Sequence, residues 1–436
     1  MARVCLAAML LAVVGSPVAA QEALTLAAAI AKARAANPTV RASQAAEHEA
    51  AARVDQAQAG WLPRVDFAEG VQRGDMPVYV FSSLLSQRRF TEANLAIDSL
   101  NNPAPLTNHR ASVTLQHALF DPAVQAGVRT ARVEVELAAA ARDAADRDLA
   151  LEATRAFGQA LTAAAGHRAA GAALAAAEED ARRTRDRRAA GLVTDADVLA
   201  LDVHVAQMKA RAIEADAARR VALAALNRTM GEPLDREYAL DAVPPIPVRA
   251  EAPAALEDLA VASRPEARQA ALQEQLARAQ QAGARQAFLP QVGWQGGYEW
   301  NGADFTDRAG GWTVGAEVRV NVFRGLGDRA RLAETTQAVA RAAAERALAE
   351  SAIRLDVRSA WLRLEAARAK MAVGTAAVAQ ARESQRILRD RYEAGLVGVG
   401  DVLRAAQAVL DAELQHTSAE VGVVVETAAL DRAVGR

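Results

Sequence analysis

Hydrophobic and polar positions alternate with a period of two in four short stretches of the chain. In the clearest one, Val292, Trp294, Tyr298 and Trp300 share one face, and glutamine and glutamate side chains occupy the other. Trp312 begins a further stretch in which valine or alanine recurs at every second position. Such alternation predicts β-strands. The predicted strands span about 64–73, 111–120, 291–300 and 312–323.

Two kinds of sheet fit these strands. Strands of about ten residues with aromatic residues near their ends are typical of a membrane-embedded β-barrel, in which Trp294, Tyr298, Trp300 and Trp312 would face lipid. A soluble sheet with one buried face shows the same alternation, so the strands alone leave both interpretations open. The insertion between the first two strands, roughly residues 74–110, is predicted to form loops on the outer side of the barrel.

Long stretches without proline predict long helices. No proline lies between Pro122 and Pro233, and none follows Pro290. We therefore predict helical hairpins over residues 122–231 and 325–435. Their longer arms would extend on the order of 100 Å at the usual rise per residue.

The chain also contains a tandem repeat. The segments Arg185–Leu199 and Arg389–Leu403 are identical at ten of fifteen positions, at an offset of 204. Pro38 and Pro265, which begin similar short helices, are offset by 227. This self-similarity predicts a first copy over residues 21–231, a proline-rich connector over 232–254 and a second copy over 255–436.

Both repeated segments carry the signals of a turn between two helices. Gly191 and Gly395 suit the left-handed position that follows the end of a helix. Asp197 and Asp401 lie at the start of the next helix, where a negative charge complements the helix dipole. Each segment is therefore predicted to be the tip of a helical hairpin.

Composition narrows the classes of function. Residues 1–20 have the charged start, apolar stretch and small-residue cleavage site of a secretory signal, and Cys5 within them is the only cysteine. Disulfide and thiol chemistry are thereby excluded from the mature chain. The net charge of −2 gives no support for nucleic-acid binding. No enzyme motif is present, so we expect no catalytic or cofactor site. We also expect no metal site, because His109 and His117, which flank a predicted strand, fit ordinary solvated or interface histidines.

The order of these elements resembles the TolC-type outer-membrane efflux family. The resemblance rests on two copies of short helix, strand, strand and long hairpin, on the paired stops at Trp61-Leu62-Pro63 and Phe288-Leu289-Pro290, and on the twin Ala-Gly-Leu-Val tips. It implies a mainly α fold with a small β part, in which a homotrimer forms a 12-stranded β-barrel and an α-helical periplasmic tunnel. Geometry requires association independently, because four strands cannot close a barrel and an open edge cannot face lipid. Eight strands are the usual minimum, so geometry alone allows a dimer or a larger assembly.

The resemblance implies an exit duct in the outer membrane, with the helical tunnel in the periplasm. Its partners would be outer-membrane lipid, a periplasmic adaptor and an inner-membrane transporter of the resistance-nodulation-division or ABC type. A type I protein secretion duct has the same fold. A secreted, alanine-rich coiled-coil structural protein is the alternative from a different class.

The resemblance also assigns roles to the tips. The adaptor would dock on Gly191, Leu192, Val193, Gly395, Leu396 and Val397. A plain hairpin turn explains the two glycines but not the repeated leucine and valine. Tyr392 and Asp401 match the residues that narrow the tunnel in the family, although Asp401 also fits a simple helix cap. Arg404 stands where relatives carry a second acid, which puts a cation-selective ring in doubt.

Overall fold

The computed structural model describes residues 22–242 and 251–436. The predicted signal over residues 1–20 lies outside them, as does the part of the connector over 243–250. The described chain is mainly helical with a small sheet part, which confirms the predicted fold class. Among the described helices, none is both long and apolar enough to cross a membrane.

Both copies contain the predicted order of short helices, strands and a long hairpin. The first copy comprises β1 (Glu22–Leu24), α1 (Leu26–Ala36), α2 (Pro38–Gln58), β2 (Arg64–Gly74), α3 (Pro77–Ser86), α4 (Ile97–Asn101), β3 (Leu106–Phe120), α5 (Pro122–Ala189) and α6 (Asp195–Met230), and is followed by β4 (Tyr238–Leu240) in the connector. The second comprises α7 (Pro253–Ser263), α8 (Pro265–Gln286), β5 (Gln291–Gly302), β6 (Arg308–Arg319), α9 (Gly327–Glu393) and α10 (Val399–Val434).

The chain divides into two compact units. The first contains the described residues of 1–38, 146–252 and 358–432, and so includes both hairpin tips. Its core is built around a short parallel pair of strands, in which Leu24 of β1 lies opposite Leu240 of β4. Buried side chains of these two strands and of α5 and α6 pack there: Leu24, Phe157, Leu226, Met230 and Tyr238.

The second unit contains a four-stranded antiparallel sheet in the order β2-β3-β5-β6. The register places Phe67 opposite Val113, Val113 opposite Tyr298, and Tyr298 opposite Trp312. These residues lie on one side of the sheet, which we call the apolar face. It carries Val65, Phe67, Val71, Val113, Leu115, Trp294, Tyr298, Trp300, Trp312, Val314 and Val318.

The opposite side, which we call the polar face, carries hydrophilic side chains along all four strands. Examples are Arg110 opposite Asn301 and Gln116 opposite Gln295. The apolar face is open in the single chain, because Phe67 is 68% exposed and Trp312 is 74% exposed. The period-two pattern of the sequence therefore separates the two faces as expected, except that Glu69 and Arg308 also lie on the apolar face, where they pair with each other at 2.8 Å.

Three predicted boundaries of the sheet are wrong, and one of them is the start of β6, which lies at Arg308 instead of residue 312. The fourth strand was expected to reach residue 323, but β6 ends at Arg319, whose partner is Gln291. The residue before Gln291 is Pro290, which has no N–H to continue the ladder. The second strand was expected to begin at 111, but β3 begins at Leu106 because it pairs with β2 as far as Gly74.

The insertion predicted as loops is largely folded. It contains α3 and α4 between the ends of β2 and β3. Pro77 occupies the first turn of α3, where its missing N–H costs nothing. Val80 and Ser83, three residues apart, are buried on one side of that helix. The buried positions of the insertion thus follow a helical spacing.

A polar side chain before each proline-started helix ties that helix to the end of the return arm. In the first unit, the Asn37 side-chain amide donates to the Thr229 carbonyl at 2.8 Å. In the second unit, Arg264 Nη1 lies 3.4 Å from the Ala433 carbonyl, which occupies the equivalent place of the other copy. The repeat is therefore preserved at the level of single contacts.

Arg264 is expected to be important for the stability of the second unit. Its side chain is 6% exposed and pairs with Asp356 at 2.7 Å and Glu266 at 3.1 Å. Burial opposes its charge, but the hydrogen bonds to Glu266 and Asp356 prevail and raise the pKa of Arg264. Arg264→Met should lower the free energy of unfolding by about 2 kcal/mol, less than for a fully buried pair because both carboxylates reach solvent. Thermal unfolding by circular dichroism would measure this loss.

Arg268→Met, four residues further along in α8, is the matched control. Arg268 is half exposed and lies 4.0 Å from Glu136, so we expect its loss to cost less than about 1 kcal/mol. Equal destabilisation by the two substitutions would contradict the role assigned to Arg264.

Candidate docking site and constriction at the hairpin tips

The first tip is a tight turn that Gly191 makes possible. Gly191 follows the end of α5 with φ of +70°. Its N–H donates to the Arg188 carbonyl at 2.9 Å, and the Leu192 N–H donates to the Arg187 carbonyl at 2.9 Å. This pair of bonds is the Schellman motif, which satisfies the last carbonyls of a helix.

The second tip has the same geometry. Gly395 has φ of +73°, and its N–H donates to the Tyr392 carbonyl at 3.0 Å. The Leu396 N–H donates to the Arg391 carbonyl at 2.9 Å. The two glycines are therefore explained by the backbone alone.

The leucine that follows each glycine is not explained by the turn. In a Schellman motif this residue frequently packs on the side chain three positions inside the helix end, but here that side chain is Arg187 or Arg391. Leu192 is 68% exposed and Leu396 is 72% exposed. Val193 and Val397, the remaining predicted docking residues, are partly buried beside them. Each tip thus presents a leucine to solvent.

The return helices begin differently in the two copies. Thr194 caps α6, because its hydroxyl accepts from the Asp197 N–H at 3.3 Å and the Asp197 carboxylate accepts from the Thr194 N–H at 3.0 Å. Gly398 stands in the place of Thr194 in the second copy and has no hydroxyl. Asp401 lies in the third position of α10 and pairs with Arg404. The interpretation of Asp401 as the helix cap is therefore wrong.

Charge also differs between the tips. In the first, Arg188 donates two hydrogen bonds to Asp195, at 2.5 and 3.0 Å, across the turn. These bonds raise the pKa of Arg188 and lower the pKa of Asp195. Tyr392 and Val399 hold the equivalent positions of the second tip. An ion pair in one copy is thus replaced by an aromatic and an apolar side chain in the other.

Tyr392 lines a cleft between the two hairpins of the first unit. The cleft has a volume of about 250 Å³, and its lining includes Leu201 and Val402. The Arg187 guanidinium lies 5.5 Å from the centre of the Tyr392 ring. The Tyr392 hydroxyl oxygen is buried and has no hydrogen-bond partner among the described residues.

The structure separates the three predicted constriction residues into two places. Tyr392 lies in the cleft, whereas Asp401 and Arg404 pair with each other outside its lining. Sequence reasoning missed Arg187 and the ion pair of Arg389 with Asp180 at 3.5 Å. The repeated Arg-x-Arg before each tip was a signal that could have indicated them.

The predicted lipid-facing aromatic residues lie together on the apolar face. The rings of Tyr298 and Trp300 are 4.6 Å apart, and the Tyr298 ring covers Gly310 of the next strand. The Trp294 indole N–H donates to His117 Nδ1 at 3.2 Å, and the other ring nitrogen of His117 lies 3.0 Å from the Trp61 carbonyl. A large ring with one satisfied polar atom suits the border between lipid and water.

His109, the other histidine beside this strand, packs its ring 4.3 Å from that of Phe305. Among the described residues, no cluster of histidine, cysteine, aspartate and glutamate could hold a metal ion.

A family model described as outer membrane efflux protein matches residues 29–232 and again residues 256–436. The chain belongs to the outer membrane efflux protein family. Each matched segment of this efflux protein contains one hairpin tip and two strands of the sheet. No curated protein sequence matches the chain.

Solved structures show the same fold. The CmeC outer membrane channel of Campylobacter jejuni is 14% identical, with a TM-score of 0.79 over 94% of this chain and 85% of that one. The outer membrane protein VceC of Vibrio cholerae is 19% identical, with a TM-score of 0.74 over 94% and 96%. The open state of the MtrE outer membrane channel of Neisseria gonorrhoeae is 19% identical, with a TM-score of 0.71 over 94% and 88%.

Proposed function

We propose that this efflux protein is the outer-membrane exit duct of a tripartite pump. The observation that carries the proposal is a sheet with an exposed apolar face and two unpaired edges. β2 and β6 lie at the ends of the strand order, so each leaves one edge of the sheet open within the described residues 22–242 and 251–436. Open strand edges are not tolerated in lipid, because no water is present to satisfy their backbone groups. Further copies of the chain must therefore complete the barrel.

Strand direction permits closure by identical copies. Every pair in the sheet is antiparallel, so β2 and β6 run in opposite directions. β6 of one protomer can then pair with β2 of the next and continue the alternation. Two copies would give eight strands, whose interior is filled by side chains, whereas three give twelve strands and a wider lumen. A homotrimer is the smallest assembly that provides a duct.

The helices also carry surfaces suited to association. Leu348 and Leu355 lie seven residues apart on α9 and are 71% and 67% exposed. A seven-residue spacing of leucine is the seam of a coiled coil. Neighbouring protomers would cover these side chains in a periplasmic helical tunnel.

In this proposal the tips dock the periplasmic adaptor, and the adaptor connects the duct to an inner-membrane transporter of the resistance-nodulation-division or ABC type. The exposed Leu192 and Leu396 support docking, because exposed apolar side chains that recur at the same place in both copies mark a surface for a partner. A signal removed after Ala20 would direct the chain to the outer membrane.

A charge placed on the apolar face tests the proposal. Val314 lies on that face and is 68% exposed, and its neighbour Thr313 lies on the polar face. Val314→Arg should cost about 2–4 kcal/mol in the bilayer and remove heat-modifiable trimers from outer-membrane fractions. Thr313→Arg, which places the same charge one residue away, should leave trimers at wild-type amounts.

Equal trimer yields for the two variants would overturn the membrane assignment. A wild-type chain recovered only in soluble fractions would favour the secreted coiled-coil protein.

A further inference from the structure

The segment between β2 and β3, residues 75–105, which we call the insert, folds over the polar face of the sheet. The Gln87 side-chain amide donates to the Thr107 carbonyl at 3.0 Å and to Asn108 Oδ1 at 2.9 Å. The Asn108 amide in turn donates to Asn301 Oδ1 at 2.8 Å. Asn108 and Asn301 both project from the polar face and are buried. The insert therefore lies on the side opposite the exposed valines and tryptophans.

Further contacts hold the insert at both edges of the sheet. The Tyr79 hydroxyl donates to the Gln72 carbonyl of β2 at 2.6 Å, and the Tyr79 ring covers Gly74 of the same strand. At the other edge, Arg88 Nη2 donates to the Gly310 carbonyl of β6 at 2.9 Å. The insert is thus anchored across the whole width of the sheet.

The position along the strands is equally well defined. β2 follows α2 and β3 leads into α5, so the insert lies at the strand ends remote from these helices. The second copy has only the short turn over residues 303–307 at the same end. Each protomer therefore contributes one insert to one end of the barrel.

Helix α3 has a buried side and an opposite apolar side. Val80, Ser83 and Gln87 are each no more than 5% exposed. The opposite side carries Val78, Phe81 and Leu85, which are 79%, 38% and 49% exposed. We call these three residues the α3 stripe, and their spacing of three and four residues places them on one helical face. The Phe90 ring of the same insert packs edge-on against Phe81 at 4.9 Å and covers that part of the stripe. Val78 and Leu85 are unfavourable in water unless another surface covers them.

The way in which copies of the chain close the barrel determines which surface can cover the α3 stripe. This step rests on the proposed function, in which the polar face of the sheet lines the lumen of a trimer. The α3 stripe then points toward the barrel axis, where the inserts of the other two protomers lie. A helix with its side chains is about 10–12 Å across. Barrel diameter grows linearly with strand number, so a barrel of twelve strands is about 1.5 times as wide as the eight-stranded barrel that side chains alone fill. Three such helices therefore occupy most of its mouth.

We propose that the three inserts form a plug that closes the outer end of the duct, with each α3 stripe packed against the stripes of the other two protomers. The plug is a gate at the exit of the duct. Its apolar contacts are small, so it can open when substrate passes.

Single-channel recording of purified trimers in planar bilayers tests the plug. The double variant Val78→Asp, Leu85→Asp places six carboxylates at the trimer axis, where their mutual repulsion should separate the helices. We expect a several-fold rise in mean conductance. Ser86→Asp, about 100° around α3 from Leu85, adds a carboxylate at an exposed position on the flank of the helix and should leave conductance unchanged.

Cross-linking provides a second measurement that does not depend on opening. Cys5 is the only cysteine, and it lies within residues 1–20. Leu85→Cys should therefore give covalent dimers under mild oxidation, because disulfides form only when the two Cβ atoms approach to about 3.5–4.5 Å. Ser86→Cys on the flank of the helix should remain monomeric on denaturing gels.

The outcomes separate the two proposals. Trimers that conduct equally in all variants and yield no cross-linked Leu85→Cys dimer overturn the plug and leave the duct intact. A rise in conductance without cross-linking assigns the α3 stripe to passing solutes and overturns packing between copies. Absence of outer-membrane trimers in the wild type overturns the duct, and the plug with it.

Discussion

Aspartate at both exposed tip leucines, Leu192→Asp with Leu396→Asp, is expected to abolish export while outer-membrane trimers persist. Both leucines point to solvent and take no part in the hydrogen bonds of the turn. The free tips therefore tolerate the change. In the docked state each carboxylate would be buried without a partner, at a cost of about 2 kcal/mol or more per site. Co-purification of the cognate adaptor with the trimer measures the loss of docking, and substrate accumulation in cells measures the loss of export.

Two control variants separate docking from turn formation. Leu192→Met with Leu396→Met preserves apolar volume and should retain export. Gly395→Ala introduces a Cβ at φ of +73°, a strain of roughly 1–2 kcal/mol, but leaves both leucines in place. If the tips were only turns, Gly395→Ala would be the harmful change and the aspartate variant would be silent. The docking hypothesis expects the reverse.

The helices of this protein were predictable because strong local signals mark their ends. α5 begins at Pro122 and ends two residues before Gly191, as proline and glycine dictate. The strands were predictable because one face is apolar along most of their length. The end of β6 was not, because it depends on Pro290, which precedes the partner strand β5. The length of a strand ladder depends on both paired strands, whereas the hydrophobic periodicity of a sequence describes only one of them.

Two other elements had no signal of this kind. β1 and β4 contain three residues each, too few for a period, and they pair across most of the first copy. The helices of the insert have apolar residues on two opposite sides of α3, so no single amphipathic pattern identified them. Both elements are specified by tertiary contacts.

The candidate site was partly predictable for the same reason. The repeated glycines determine two identical turns, and the repeat identified the leucines beside them. The contact of Arg187 with the Tyr392 ring joins two hairpins, and only packing brings it about. The pairing of Asp401 with Arg404 is local, because residues three apart lie on one helical face. This ion pair could therefore be predicted from the sequence, whereas its effect on ion selectivity could be inferred only from the structure.

Arg404→Ala is expected to make the duct prefer cations. Arg404 pairs with Asp401 at the start of α10, and its side chain is 76% exposed. In a trimer whose constriction these residues line, removal of the arginine changes three neutral pairs into three free carboxylates. A unit charge changes the energy of an ion about 4 Å away by a few kcal/mol at the effective dielectric constant of a protein surface. A tenfold rise in the ratio of potassium to chloride permeability needs only about 1.4 kcal/mol, so a rise on this order is expected. The reversal potential in a salt gradient measures it.

The reciprocal variant tests the direction of the change in ion permeability. Asp401→Ala leaves Arg404 unpaired, so its permeability ratio should move toward chloride, opposite to that of Arg404→Ala. Arg404→Lys preserves the charge and should resemble the wild type, and the double variant Asp401→Ala, Arg404→Ala should lie near it as well. If all four ratios equal the wild-type value, the pair does not line the pore. Asp401 would then act only through its favourable position in the first turn of α10.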